Sequence, residues 1–429
     1  MKKVLTLLAA AAVLVAGATA EITFSTWLRV QEVVADSDGD EMYTGSVNSW
    51  GGARYARINI AGQDEDGRVG FKMDIYDEDG EISRGDNAYL WVRPIEQIKI
   101  SAGKWDSAEN WLRENLCYGE WNWLRTNNYI TDDEGLTFTG AYAGLFHIQI
   151  YPIDGLQVYI GIPIPSNDLN QNDEDLYYTN TNTTWGNVAD GDALKATYIS
   201  TQVAIAYNIS PISSVIKAQW IGHYNDQSTD NDGDFEDGMD YGSIEVAFDF
   251  GMVENLWVTV GFRYNLTDGD VLGAQSTNTW MPGYDCETMK ITLGLSYSLG
   301  DLIGWEQGLT IFASGGVRLY NSWDYYEAEK DPMYGFGVGI NLGLVEDLRL
   351  EADVRYMSTE SGTAYDGKDY DKENDAVTFL VGFVYNIGSN GEIGIGFQGA
   401  SNGCGFLGSE LQYEDKFAWA VPIRLGVWL

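Results

Sequence analysis

Residues 416–429 read KFAWAVPIRLGVWL. Phe417, Trp419, Val421, Ile423, Leu425 and Val427 fall on one face of an extended chain, with Lys416, Arg424 and Trp428 on the other. Successive side chains of a strand point to opposite faces, so this period of two predicts a strand with one oily and one wetted face. The same pattern recurs upstream. Leu348, Leu350, Ala352, Val354 and Tyr356 interleave with Arg349, Glu351, Asp353 and Arg355, and Val69, Phe71, Met73 and Ile75 interleave with Arg68, Lys72, Asp74 and Tyr76. A soluble sandwich shows such alternation too, but its strands are usually short and its apolar face need not end in Tyr, Trp or Phe at each rim.

The connections decide between those folds. Eighteen segments qualify as strands from residue 21 to 429, or sixteen if two hairpins around Leu136–Tyr151 are misread. Short turns at Pro94-Ile95-Glu96, Pro152-Ile153-Asp154-Gly155, Val253-Glu254-Asn255, Val345-Glu346-Asp347 and Ser389-Asn390-Gly391 alternate with long acidic loops such as 226–240. Short turns on one side and long loops on the other are the pattern of an all-β, antiparallel up-and-down transmembrane barrel. An even strand number puts both chain ends on the short-turn side, and closure removes the sheet edges.

Residues 1–20 carry Lys2 and Lys3, an apolar run and then Ala18-Thr19-Ala20, the small-residue pattern before a cleavage point. That predicts a signal peptide, with one barrel domain over 21–429. Composition agrees: 64 acidic against 25 basic residues would suit a disordered chain, but 13% aromatic content would not. Fifty Gly against eight Pro favour closely packed strands over helices. Cys117, Cys286 and Cys404 allow at most one disulfide, so crosslinks are not the main staple.

One segment breaks the march of strands. Trp105–Gly135, after the fifth strand, reads WDSAENWLRENLCYGEWNWLRTNNYITDDEG. It is too aromatic for disorder and too long for a simple connection, so it is expected to fold into the barrel mouth and set the bore. Its candidate residues are Glu109, Glu114, Glu120, Arg113 and Arg125, with Trp111, Trp121 and Trp123 packing it to the wall.

With the leader, the alternating strands, this loop and the last strand together, the mature chain resembles a bacterial outer-membrane porin. The resemblance implies an inward constriction loop facing a basic wall, passive diffusion of small hydrophilic solutes and ions, a homotrimer and no enzymatic activity. Two features depart from the family's pattern. The chain ends in Leu429 where an aromatic residue is typical, and eighteen strands are more usual for sugar- or substrate-specific channels, which leaves the solute class open.

The charge pattern points to a pore independently. Arg29, Arg57, Lys72, Lys99, Arg263, Arg349, Arg355 and Arg424 fall in the wetted phase, as expected when Arg or Lys facing mid-bilayer lipid costs about 2–4 kcal/mol. Arg57, Lys72 and Lys99 lie nearest the fifth-strand loop and are the candidates to oppose its carboxylates, which would set a transverse field in the bore. Trp27, Trp91, Trp257 and Trp428 share the wetted phase, either as interface residues or as a surface for sugar rings.

Asp36, Asp38 and Asp40, and separately Asp230, Asp232 and Asp234, could supply oxygen ligands to Ca²⁺, although solvated surface acids explain them more simply. No other cofactor is expected. The two histidines, His147 and His223, lie in no recognisable nucleophile motif, so a barrel hydrolase is disfavoured. Nothing suggests nucleic acid. The expected setting is the outer membrane, with lipid as the surrounding partner. The rival from another class is a surface structural or adhesive protein whose barrel is only an anchor.

Overall fold

The computed structural model describes residues 21–37, 42–47, 54–78, 81–104, 146–162, 201–225, 228–229, 235–236, 239–268, 286–323, 329–358, 361–363, 369–371, 376–401 and 417–429. Eighteen antiparallel strands form a closed ring. They are β1 (Glu21–Ser37), β2 (Arg54–Gln63), β3 (Val69–Glu78), β4 (Glu81–Ile95), β5 (Ile98–Lys104), β6 (Phe146–Ile153), β7 (Leu156–Ile162), β8 (Gln202–Ile209) and β9 (Ser214–Asn225). The second half comprises β10 (Met239–Phe250), β11 (Leu256–Asp268), β12 (Cys286–Ser298), β13 (Leu309–Trp323), β14 (Met333–Val345), β15 (Leu348–Met357), β16 (Ala376–Asn386), β17 (Gly391–Ala400) and β18 (Ala418–Trp428). Each pairs with the next, and β18 returns to β1 in a register running from Trp27↔Trp428 to Ser37↔Trp419. The count is therefore eighteen, and the sixteen-strand alternative falls away. An additional strand, Met42–Val47, folds back on β1.

Closure is completed at the chain ends. Thr26 N donates to Leu429 O at 2.7 Å, and Leu429 N donates to Thr26 O at 2.9 Å. Both termini thus sit on the short-turn side, as the even strand number requires. Turn chemistry on that side is local. Asp64 Oδ1 accepts from the backbone of Arg68 at 2.6 Å and Val69 at 2.9 Å, closing the β2–β3 turn. Asn255 and Asp347 take the left-handed conformation with φ of 63° and 66°, which tight hairpins need and Asn and Asp tolerate. Gly155 has φ 79°, and a Cβ there would lie 2.6 Å from Asn208 O.

Two prolines near these turns lie where a strand can spare a donor. Pro94 falls within the register shift between Val92 and Ile95, and Pro152 within that between Ile150 and Ile153. One connection differs from expectation. The strands flanking 77–85 run on as paired β3 and β4 until Glu78 meets Glu81. On the long-connection side, Glu329–Lys330, Ser361–Thr363 and Asp369–Asp371 form a small separate sheet.

Parity sorts the two faces. Outward side chains such as Phe24, Val203, Ile205, Leu293, Phe336, Val338, Ile393 and Ile395 are apolar and exposed, Phe24 by 65% and Leu293 by 52%. Among the residues whose side chains are described, these outward positions carry no charge. The belt is bounded by aromatic rings. Near the long-connection end Phe379 stacks on Phe417 and Phe397 on Trp419, with Tyr334 and Phe336 beside Tyr356. Tyr207, Phe250, Tyr297 and Tyr385 mark the other end. An apolar band between two aromatic girdles is the outer surface of a barrel sitting in lipid. No described helix is long and apolar enough to cross a membrane, so the crossing is made by strands.

Candidate functional site

The inward face is polar, and its side chains are packed against one another. Asp74, His147, Glu245 and Gln398 are all 0% exposed. Ionised groups so far from water persist only when paired and hydrogen-bonded. Cross-strand register supplies those partners.

On β2 and β3, Arg57 Nε donates to Asn59 Oδ1 at 2.6 Å, and a terminal nitrogen forms an ion pair with Asp74. Asp74 Oδ2 also accepts from Asn87 Nδ2 at 2.6 Å and from Asn87 N at 3.2 Å. The Arg57 guanidinium lies 5.4 Å from the Tyr76 ring centroid. Asn59, Asp74 and the Tyr76 ring therefore fix its orientation. Lys72 lies one rung closer to the short turns than Asp74, and Lys99 on β5 holds its ammonium 4.9 Å from the centre of the Trp91 ring.

Across the ring, β9 to β12 align Gln219, Glu245, Arg263 and Lys290 along a single rung. Glu245 accepts from both Gln219 and Arg263. Nearer the short turns, Lys217 pairs with Asp249 at 2.7 Å. A third group gathers on β15 to β18. Arg349 contacts Glu351 at 2.7 Å, Asn386 at 2.8 Å and Glu392 at 3.0 Å, while the other Glu392 oxygen pairs with Arg424. Arg355 lies 3.3 Å from Asp353 on the same strand.

Of the wall residues expected from sequence, Arg57, Lys72, Lys99, Arg263, Arg349, Arg355 and Arg424 all project inward, but in three groups rather than one. Arg29 lies on β1 opposite Tyr55 and Gly426, and its side chain is outside the described residues. So are Glu109, Arg113, Glu114, Glu120, Arg125, Trp111, Trp121 and Trp123, the side chain of Asp36, and all of Asp38, Asp40, Asp230, Asp232 and Asp234. His147 sits on β6 with Nδ1 2.7 Å from the Tyr159 hydroxyl. Glu392 and Asn87 are among the members of the site missed from sequence. Glu392 has the parity of Gly394 and Gln398 and could have been found by counting in twos. Asn87 shares the parity of Tyr89 and Trp91 and was open to the same count, but its meeting with Asp74 was not, because the register shifts between Met73 and Ile75.

The wall also holds a recess of about 290 Å³. Register explains its shape, since three successive rungs cross β1, β2 and β3: Thr23, Ala61 and Lys72; Ser25, Asn59 and Asp74; Trp27, Arg57 and Tyr76. Short side chains in the middle of β1 and β2 leave the hollow, while Trp27, Arg57 and Lys72 stand around it. Asn59 Nδ2 donates to Ser25 Oγ at 3.0 Å and ties the floor together.

A closed barrel with an apolar outer belt between aromatic girdles and a charged interior defines the class: a β-barrel channel of the outer membrane. The chain belongs to the Gram-negative porin family, whose model matches residues 7–316. Similar solved structures include an anion-selective porin from Comamonas acidovorans, at 10% identity and TM-score 0.46 over 96% of this chain and 100% of that one. OmpF of Salmonella typhi, in complex with daunomycin, is 9% identical with TM-score 0.46 over 95% and 97%. OprB of Pseudomonas putida is 10% identical with TM-score 0.44 over 97% and 96%. No curated protein matches.

Proposed function

We propose that the chain forms a water-filled pore for passive diffusion of ions and small hydrophilic solutes, narrowed by the Trp105–Gly135 segment and assembled as a homotrimer. The observation that carries most weight is the inward face, where ionised side chains are paired in three groups on the wall, on β2–β3, β9–β11 and β15–β18. A barrel serving only as an anchor has no use for that investment of charge.

The pairing also bears on selectivity. Arg57, Lys217, Arg263, Arg349, Arg355 and Arg424 each have a wall carboxylate as partner, and the field of a close pair falls off faster than that of a lone charge. The acidic excess of a chain with net charge −39 then sets the bulk preference. Purified protein in planar bilayers should conduct, with a weak cation preference at low salt that fades as the screening length shortens from about 30 Å at 0.01 M to about 3 Å at 1 M. Strong anion selectivity at every salt concentration would show that the wall cations dominate. A complete lack of conductance would return the barrel to the role of an anchor.

Orientation is open to a separate test. The turn between β14 and β15 belongs to the periplasmic side, and the small sheet at Asp369–Asp371 to the outside. With Cys117, Cys286 and Cys404 replaced by Ser, a membrane-impermeant maleimide on intact cells should modify Tyr370→Cys and leave Glu346→Cys untouched until the outer membrane is permeabilised. Labelling of position 346 on intact cells would invert the topology.

A further inference from the structure

We propose that the turn joining β12 to β13 is a docking surface for a basic amphipathic segment of a soluble periplasmic protein. This rests on the topology given above, with the short turns on the periplasmic side.

The turn, residues 299–308, is the longest connection on that side among the described residues, and its conformation is fixed from within. Gly300–Ile303 make one helical turn, and Gly304 and Gly308 then take φ of 68° and 85°. Gly343 N donates to Gly308 O at 2.9 Å, but Gly308 N turns back to Trp305 O at 3.0 Å and leaves Gly343 O without its ladder donor. The Trp305 indole nitrogen fills that place at 2.7 Å. A side chain thus stands in for a backbone bond and pins the turn to β14.

The same contact shows where the turn runs. Gly343 has the inward parity of Gly335, Gly337 and Gly339, and a Cβ there would lie 1.8 Å from Gln307 O. The returning limb therefore passes on the lumen side of β14, away from lipid. At its head, Leu302 is 69% and Ile303 58% exposed, beside Trp305 at 43%. Other exposed apolar residues on this rim have a simpler explanation. Ile95, Ile153 and Val345 pair with the outward-facing Ile98, Leu156 and Leu348, and so extend the belt that lipid covers. Leu302 and Ile303 belong to no strand and have no such cover.

Charge selects the partner. This turn and its two neighbours, 251–255 and 345–347, contain Glu254, Asp301, Glu306, Glu346 and Asp347 and no Lys or Arg. Glu254, Glu306, Glu346 and Asp347 are exposed. An apolar knob flanked by carboxylates repels anionic lipid headgroups, and it repels a second copy presenting the same face. It complements apolar side chains flanked by Lys or Arg. From the turn at Glu254 to the turn at Asp347 the ring advances by four strand spacings of about 4.8 Å, roughly 19 Å in all, the length of about thirteen helical residues.

The test uses the full-length protein in nanodiscs of zwitterionic lipid and a fluorescein-labelled helical peptide of that length, with Leu on one face and Lys on the other. The peptide should bind about tenfold more tightly than its scrambled form or a form with Glu in place of Lys. Leu302→Gln combined with Ile303→Gln should weaken binding about tenfold with conductance unchanged, and Leu302→Met with Ile303→Val should keep it. Glu254→Gln combined with Glu306→Gln should weaken binding and reduce its dependence on salt. Full affinity in the Leu302→Gln, Ile303→Gln protein, or equal binding of the scrambled peptide, would overturn the docking surface while leaving the channel intact. A bimane on Leu302→Cys, with Cys117, Cys286 and Cys404 replaced by Ser, should escape quenching by brominated lipid; quenching would give the turn to the membrane instead. A change of sedimenting mass in the Leu302→Gln, Ile303→Gln protein would give it to a second copy and equally overturn the proposal. Labelling of Glu346→Cys on intact cells would remove the periplasm as the partner's compartment.

Discussion

Asp74→Ala is expected to cost the folded barrel about 3–5 kcal/mol and to shift its ion preference towards anions. Asp74 is fully buried and is the shared acceptor for the Arg57 guanidinium and for both the backbone and side-chain nitrogens of Asn87. Removing it strands a cation and a buried amide together, and breaking a buried pair on one side only costs that much because the surviving charge loses its partner without regaining water. Asp74→Asn should cost less, since an amide oxygen still accepts a hydrogen bond, but it too leaves the Arg57 charge uncompensated. Urea unfolding in lipid vesicles measures the first effect, and the reversal potential in asymmetric salt measures the second. A variant as stable as the parent would mean that Arg57 has another acceptor of equal quality. An unchanged reversal potential would mean that Arg57 and Lys72 lie outside the ion path.

The barrel was legible from sequence because lipid imposes a strict alternation. An outward position that accepts only apolar or aromatic residues leaves a period of two that survives even where the inward partner is Gly, as in GFGVGINLG, where Gly335, Gly337 and Gly339 face inward. Parity also placed Arg57, Lys72, Lys99, Arg263, Arg349, Arg355 and Arg424 on the inner wall. It could not say which of them meet. Arg57 and Asp74 are 17 residues apart in sequence, and Arg349 and Glu392 are 43 apart; both meetings depend on cross-strand register, which turn lengths and bulges determine together. The inner face therefore read as a basic wall, when its cations are held beside Asp74, Asp249, Glu245, Glu351, Asp353 and Glu392. The recess was hidden for the same reason, since Trp27, Asn59 and Lys72 become neighbours only once three strands are aligned. Pro422 illustrates a further limit. A proline inside a predicted strand argues against that strand, yet here it sits beside the register shift between Val33 and Ala35, where the ladder is already irregular.

Removing Ala418–Leu429 is expected to abolish the folded barrel rather than weaken it by degrees. β18 is bonded on both sides, to β1 from Trp27 to Ser37 and to β17 from Gly391 to Ala400, so its loss exposes two rows of backbone donors and acceptors at once. Each unsatisfied backbone group in the hydrocarbon costs several kcal/mol, and a handful of them exceeds the 5–15 kcal/mol by which a typical folded domain is stable. The ring cannot heal by closing on seventeen strands in the same manner. All odd-numbered strands run away from the short-turn side, so β17 against β1 would be a parallel pair, with slanted hydrogen bonds and a new register for every inward residue. The inner face would suffer as well, because Glu392 would lose Arg424 and keep only Arg349. Arg424→Ala provides the control: it removes the same ion pair but leaves the backbone of β18 in place, so it should lower stability by a few kcal/mol, within the cost of breaking one buried pair, and still give a barrel. Refolding both proteins into detergent and assaying protease resistance and heat-dependent gel mobility separates the two. A compact, protease-resistant product from the truncated chain would show that closure by β18 is dispensable and that the remaining seventeen strands can find a parallel seam.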